Sequence, residues 1–101
     1  MKALLITLSL GLAAVTAQAD ADEAMNKAGC MACHSKDKKV VGPAFKDIAA
    51  KYKGQDVTAK LMEKVRKGGA GTFGPIPMAP VGPDKISDGD LKAAVEQILK
   101  S

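Results

Sequence analysis

The feature that most limits how this chain can fold is a long segment rich in glycine and proline, which runs from Gly68 to Pro83. Nine of its sixteen residues are Gly or Pro, so it can form neither a helix nor a central strand. Its centre, from Phe73 to Pro80, is nevertheless apolar, which favours an ordered loop over a disordered one. We therefore predict that the segment wraps around something other than its own side chains, and that its prolines hold Met78 in one direction.

The N-terminus has the pattern of a cleaved export signal. A positively charged start is followed by an apolar stretch from Ala3 to Thr16, and then by Ala17-Gln18-Ala19, the small-x-small pattern of a signal-peptidase site. We predict that residues 1–19 are a signal peptide and that residues 20–101 form one mature domain of 82 residues in the periplasm. An uncleaved N-terminal anchor is the alternative interpretation.

The mature chain is small, and little in it can build a large core. It contains no Trp, one Tyr and two Phe, and chains of this size often need a metal, a cofactor or disulfides for stability. Its two cysteines are only three residues apart, so a disulfide between them would close a very short loop and stabilise little. A large buried apolar cofactor would supply the missing bulk.

Hydrophobic periodicity predicts an all-α fold of about four helices, with no convincing strand. Ser87 and Asp90 have the spacing of a helix N-cap at the start of the last helix. Asp20 or Asp22, Pro43 and Asp56 are expected to begin the other three helices, and Gly residues to end them. The four predicted segments are about 21–28, 43–54, 56–68 and 87–99.

The sequence Cys30-Met31-Ala32-Cys33-His34 is the attachment pattern of c-type haem. Two thiols at this spacing can form thioethers with one porphyrin, and His34, the only histidine in the chain, can then bind the iron. A thioredoxin-like redox pair would need β-strands, and a zinc site would need further Cys or His ligands. We therefore predict one covalently attached haem c, bound by Cys30, Cys33 and His34.

Met78 is the predicted second axial ligand of the iron. It lies 44 residues after His34 in the stiff loop, outside any helical stripe, whereas Met25 and Met62 fall on predicted helices and are better explained as core residues. A ligating imidazole usually donates its other N–H to a fixed acceptor. The carbonyl of Pro43, which follows the attachment motif, is the predicted acceptor.

With these motifs, the chain resembles the small bacterial class I cytochromes c of the cytochrome c-551/c-552 group. The matching stretches are Gly29 to His34, Val41 to Asp47 and Gly74 to Met78. The resemblance implies a class I cytochrome c fold with crossing terminal helices. It also implies a monomeric periplasmic carrier that serves nitrite reductases, terminal oxidases or cytochrome peroxidases and takes electrons from a donor such as cytochrome bc1.

The chain departs from the group at several positions. Phe73 stands where the group commonly has a Trp that donates to a haem propionate, so Lys64 or Arg66 is expected to take that contact. Val81 stands where an Asn often donates to the methionine sulfur, and Gln97 replaces a usual aromatic residue on the last helix. Met25 likewise replaces a common Phe on the first helix, so the crossing of the two helices is expected to pack more loosely.

These residues predict an electron carrier rather than an enzyme, because iron bound by both His34 and Met78 has no open position for a substrate. The first alternative is a gas-binding or enzyme-like haem protein with five-coordinate iron, in which Met78 would not be a ligand. The second is a haem module docked permanently in a larger complex.

The charge of the mature chain is mildly basic. The mature chain has fourteen basic and eleven acidic residues, which give a net charge of +3. It contains no stripe of basic and aromatic residues of the kind that indicates nucleic-acid binding. The lysines beside the attachment motif are expected either to steer an acidic partner protein or simply to keep a surface loop solvated. They are Lys27, Lys36, Lys38 and Lys39.

Overall fold

Four α-helices and one short 3-10 turn make up the secondary structure. The computed structural model describes residues 13–101, with side chains from residue 20 onward. The helices are α1 (Ala13–Ala28), α2 (Phe45–Lys51), α3 (Thr58–Lys67) and α4 (Asp88–Leu99), and the turn spans Cys30–Ala32. No strand occurs within residues 13–101, where only two isolated β-bridges form. The predicted all-α class is confirmed.

Helix α4 organises the fold, because it contacts each of the other three helices. Its inner face contributes Leu91, Ala94 and Val95 to the core, where they meet Met25 of α1 and Phe45 of α2. The core is small and consists mostly of aliphatic side chains. This agrees with the scarcity of aromatic residues in the sequence.

The helix ends agree with the sequence in part. Ser87 caps α4 by accepting a hydrogen bond from the Asp90 backbone N–H, and Gly29 ends α1 with a φ of 84°. The predicted start of α1 is wrong. The helix is continuous from Ala13, so Asp20 and Asp22 lie inside it, because the alanine-rich residues before them also favour helix.

The predicted starts of α2 and α3 are also wrong by one or two residues. Ala44, in an extended conformation, precedes α2 and leaves Pro43 outside the helix. Val57 precedes α3 with no side-chain capping bond, so Asp56 does not act as the cap. The loop after α3 follows the prediction, since no helix forms between Lys67 and Asp88.

Candidate cofactor site

A largely apolar cavity of about 470 Å³ lies between the helices and the Gly/Pro-rich loop. Cofactor pockets in proteins commonly have volumes of about 300–1,000 Å³. The structure brings all five sequence-predicted site residues to its wall. They are Cys30, Cys33, His34, Pro43 and Met78.

The two cysteines are presented by the 3-10 turn that follows α1. Gly29 adopts a left-handed conformation and turns the chain out of α1. The backbone N–H groups of Cys33 and His34 then both donate to the Cys30 carbonyl, at 3.2 and 3.0 Å. Partial burial raises the pKa of the Cys30 thiol, whereas Cys33 is exposed. The tight turn brings both cysteines and the following histidine to the cavity wall.

The ring of His34 is held on three sides. Its Nδ1 lies 2.7 Å from the Pro43 carbonyl oxygen, and its plane stacks on Phe45 with ring centroids 5.3 Å apart. Because a carbonyl can only accept, Nδ1 carries the proton and Nε2 keeps the lone pair that a metal needs. A Cβ built on Gly42 would lie 2.6 Å from Cε1 of His34, so only glycine leaves room for the ring.

Met78 is held by its own backbone. Its N–H donates to the Gly69 carbonyl at 2.9 Å, and its carbonyl accepts from the Gly69 N–H at 3.0 Å. Gly68 has a φ of 71°, and a Cβ there would clash with the Met78 carbonyl oxygen. Gly68 therefore lets the returning chain approach closely, and Gly69, with a φ of 114°, pairs with Met78 at the cavity wall.

The cavity wall also includes Tyr52, Lys64 and Phe73. A Cβ built on Gly69 would lie 3.2 Å from the Lys64 ammonium nitrogen, so this cation lies beside the isolated β-bridge between Gly69 and Met78. Arg66 is engaged elsewhere, by the Val81 carbonyl at 3.2 Å and by Asp88 at 2.6 Å. Of the two basic residues expected to meet an acidic group of a cofactor, Lys64 is the one at the cavity.

Two thiols, an imidazole with a free Nε2 and a thioether thus surround one apolar cavity. Thiols at Cys-x-x-Cys spacing and a following imidazole suit the attachment of haem, and a thioether is a known axial ligand of haem iron. The cavity and its donor atoms therefore fit a single haem.

Several residues of the site could not be found from sequence periodicity. Periodicity gives no sign that Phe45 contacts His34, yet its ring stacks on the imidazole. Close approach requires glycine at positions 42 and 68, and Gly69 has a φ of 114° that favours glycine. The sequence signal for these glycines is their position, directly before Pro43 and at the end of the predicted helix 56–68.

The surface beside the site is both apolar and basic. Met31 and Val40 are 36% and 53% exposed. Neither residue borders the cavity, so both are exposed on the outer surface of the protein. Lys39 borders the cavity. Lys27 pairs with Glu23 at 2.9 Å, and Lys36 lies 4.0 Å from Asp22.

Comparison with known proteins gives consistent matches. The Cytochrome c family model matches residues 18–101. Cytochrome c-552 of Nitrosomonas europaea is 51% identical over 89 residues, which are 87% of this chain and 84% of that protein. Cytochrome c2 of Rubrivivax gelatinosus is 50% identical over 80 residues, 78% of this chain and 94% of that protein.

The solved structures show the same likeness. The crystal structure of wild-type Nitrosomonas europaea cytochrome c552 matches with a TM-score of 0.70 at 44% identity. The match covers 78% of this chain and 96% of that one.

Proposed function

The chain belongs to the cytochrome c family, whose members carry one covalent haem c, and from this premise we propose that it is a periplasmic one-electron carrier between respiratory proteins. The class I fold expected from the resemblance is confirmed by the match to cytochrome c552. The haem has histidine and methionine as axial ligands, as is usual in class I members. Nothing in the relatives or the site points to catalysis.

We assign the haem contacts to five residues. Cys30 and Cys33 form the thioethers, His34 and Met78 bind the iron, and Pro43 supports the His34 ring. The single observation that carries this assignment is that all five line one cavity, although His34 and Met78 are 44 residues apart. When bound, the haem supplies an iron that gains and loses one electron. The five-coordinate alternative is disfavoured because the backbone pairing with Gly69 holds Met78 at the cavity wall.

The protein's contribution is to hold the ligands still. The Pro43 carbonyl accepts a hydrogen bond from Nδ1–H of His34 and so fixes the tautomer of the imidazole. Phe45 and Gly42 confine the ring. A ligand set that does not rearrange suits rapid electron transfer. The soft thioether of Met78 favours ferrous iron and so raises the reduction potential.

Lys64 is our proposed partner for a haem propionate. It borders the cavity, and none of the ion pairs found among residues 20–101 includes it. Phe73, also at the wall, has no hydrogen-bond donor and cannot take this role.

Export is the basis for the proposed compartment. Residues 1–19 are the proposed signal peptide, of which residues 1–12 lie outside the described part of the chain. Cleavage after Ala19 would start the mature chain inside α1. Among residues 13–101, none of the helices has the length and apolar character that a membrane span requires.

The proposed partners are redox proteins that dock beside the cavity mouth. Nitrite reductases, terminal oxidases, cytochrome peroxidases and a cytochrome bc1 donor are the candidates that the resemblance implies. The surface formed by Met31, Val40, Lys38 and Lys39 combines exposed apolar area with positive charge, which suits brief complexes with acidic partners. We propose that the carrier is a monomer and binds no nucleic acid.

The central test is the covalent attachment of haem. After acid extraction, the denatured protein is expected to keep its colour, and the mature mass should equal the chain from Asp20 plus one haem. A redox titration is expected to show one reversible one-electron step. Haem that extracts freely into organic solvent would overturn the proposal.

A further inference from the structure

The segment that follows Met78 is anchored through its main chain. Val81, three residues after Met78, has no polar side chain. Its N–H nevertheless donates to the Val65 carbonyl at 2.9 Å, and its carbonyl accepts from Nη1 of Arg66 at 3.2 Å. Both backbone groups of this residue are therefore bonded to the last turns of α3.

Arg66 is itself fixed by a second contact. Its side chain is only 20% exposed, and its Nη2 lies 2.6 Å from Oδ1 of Asp88, the first residue of α4. The rigid planar guanidinium can satisfy two acceptors in one geometry, which a flexible ammonium cannot do. One side chain thus joins the end of α3, the segment after Met78 and the start of α4.

The loop has few other restraints. Within the loop from Gly69 to Ala79, the structure shows three backbone hydrogen bonds. Two join Gly69 and Met78, and the third runs from the Gly71 N–H to the Gly74 carbonyl. Ile76 at the loop tip is 58% exposed. Segments with few buried contacts open locally at low free-energy cost, so the bonds at the base of the loop determine how often Met78 leaves the cavity wall.

We propose that Arg66 is a positioning residue for the sixth iron ligand, and that its bridge from Val81 to Asp88 keeps the Met78 thioether in place. This inference rests on the proposed function, because it assumes that Met78 binds the iron. Arg66 acts at a distance from the cofactor cavity, by restraining the backbone three residues beyond the ligand. Asp88, whose side chain is 85% exposed, orients the guanidinium and contributes less.

The test measures how fast cyanide binds to the oxidised holoprotein, since cyanide can enter only when Met78 is displaced. Arg66→Gln is expected to bind cyanide about tenfold faster than the wild type, because a charge-assisted hydrogen bond and an ion pair are lost. Arg66→Lys keeps the positive charge but lacks the planar guanidinium that can satisfy two acceptors. Its cyanide-binding rate should lie between those of the wild type and Arg66→Gln. Asp88→Asn should show a smaller increase than Arg66→Gln.

Lys67→Gln is the matched control. Lys67 is the next residue on α3 and pairs with Glu63 at 3.6 Å, with its side chain 74% exposed. The substitution therefore removes the same charge and an ion pair from the same helix without touching the loop, and the cyanide rate should not change. The free energy of global unfolding is measured for every variant. If Arg66 only stabilised the fold, the cyanide-binding rates would change in proportion to this free energy.

Two results would overturn the inference. One is an unchanged cyanide-binding rate in both Arg66 variants. The other is a faster rate in Arg66→Gln that Lys67→Gln matches or that the loss of global stability fully explains. Met78→Ala separates this inference from the proposed function. If Met78→Ala itself fails to accelerate cyanide binding, Met78 is not the ligand and the assignment of the site fails, whereas a fast Met78→Ala with unchanged Arg66 variants refutes only the role of Arg66.

Discussion

The thioether of Met78 is the single side chain whose removal should change the electronic properties of the site most. Met78→Ala is expected to keep the haem attached through Cys30 and Cys33 and to open one iron position. Carbon monoxide and cyanide should then bind readily, and the reduction potential should fall by on the order of 100 mV because the soft ligand is lost. Spectroscopic titration and voltammetry would measure both effects.

Met31→Ala is the control for this prediction. Met31 lies between the two cysteines and is 36% exposed, so its removal should alter neither the potential nor ligand binding by a comparable amount. Equal behaviour of the two variants, or an unchanged potential in Met78→Ala, would show that Met78 is not the sixth ligand.

Gly42 tests how closely His34 is confined. In Gly42→Ala the new Cβ would lie 2.6 Å from the imidazole, and the ring cannot yield easily because Pro43 and Phe45 hold it. We expect a loss of about 1–3 kcal/mol in the free energy of unfolding, as for other overpacked sites. Urea denaturation of the holoprotein would measure this loss.

Gly89→Ala provides the comparison for Gly42. Gly89 lies in α4, and a Cβ there would meet no atom within 4 Å. This variant should gain up to about 1 kcal/mol, because alanine favours helix over glycine. If Gly42→Ala were as stable as Gly89→Ala, the ring of His34 would have more room than the structure indicates.

At the scale of helices, the contact between α1 and α4 contains a polar pair in place of an aromatic residue. The Gln97 amide donates to Asp22 Oδ1 at 2.6 Å, while its own Oε1 is buried without a hydrogen-bond partner. A buried unpaired acceptor costs about 1–3 kcal/mol, as much as a typical hydrogen bond contributes or more. The helix crossing therefore retains a site that an apolar side chain could improve.

Gln97→Leu is expected to raise the free energy of unfolding by about 1 kcal/mol, because the unpaired acceptor is removed while the half-exposed Asp22 carboxylate can turn to water. Gln97→Glu places a second carboxylate beside Asp22 and should lower stability at neutral pH. Urea midpoints of the two holoprotein variants would measure the effects. A strong destabilisation by leucine would mean that the hydrogen bond between Gln97 and Asp22 stabilises the protein by more than the unpaired acceptor costs.

For the protein as a whole, the charges beside the attachment motif should control encounters with partners. Glu23 and Asp22 partly compensate Lys27 and Lys36, and the pKa of Lys27 is raised by its hydrogen bond to Glu23. Lys38 and Lys39 take part in none of the ion pairs among residues 20–101. They should therefore be the least compensated of the four lysines by ion pairs, while Asp37 lies beside them in the sequence.

The rate of electron transfer to an acidic redox partner is expected to fall as salt rises, because the attraction is screened over about 8 Å at physiological ionic strength. Replacing Lys36, Lys38 and Lys39 by Gln should lower the rate roughly two- to fivefold at low salt and flatten the salt dependence. Stopped-flow kinetics over a range of ionic strength would measure both effects.

The control for this prediction replaces three lysines that do not border the cavity and lie far in sequence from the attachment motif, which are Lys60, Lys92 and Lys100. Replacing these three lysines by Gln removes the same total charge. If the position of the charge matters, the electron-transfer rate at low salt should fall less than when Lys36, Lys38 and Lys39 are replaced. A salt-independent rate in the wild type would point instead to docking through the apolar side chains of Met31 and Val40.

Much of this molecule could be predicted from short stretches of sequence. The spacing of Cys30, Cys33 and His34 is a local property, because one turn of chain determines where these three side chains lie. The cap of α4 at Ser87 and the end of α1 at Gly29 likewise depend on backbone groups a few residues away. The glycines and prolines between α3 and α4 exclude regular structure without reference to any other part of the chain.

Contacts between residues that are distant in the sequence depend on how the helices pack. Phe45 lies against His34, Lys64 rather than Arg66 faces the cavity, and Arg66 joins Val81 to Asp88. Each contact depends on how the helices pack, since a side chain on a helix can serve the core, the cavity or a neighbouring loop with the same local sequence. Periodicity assigns a residue to a helix face, but the packing of all four helices determines what that face contacts.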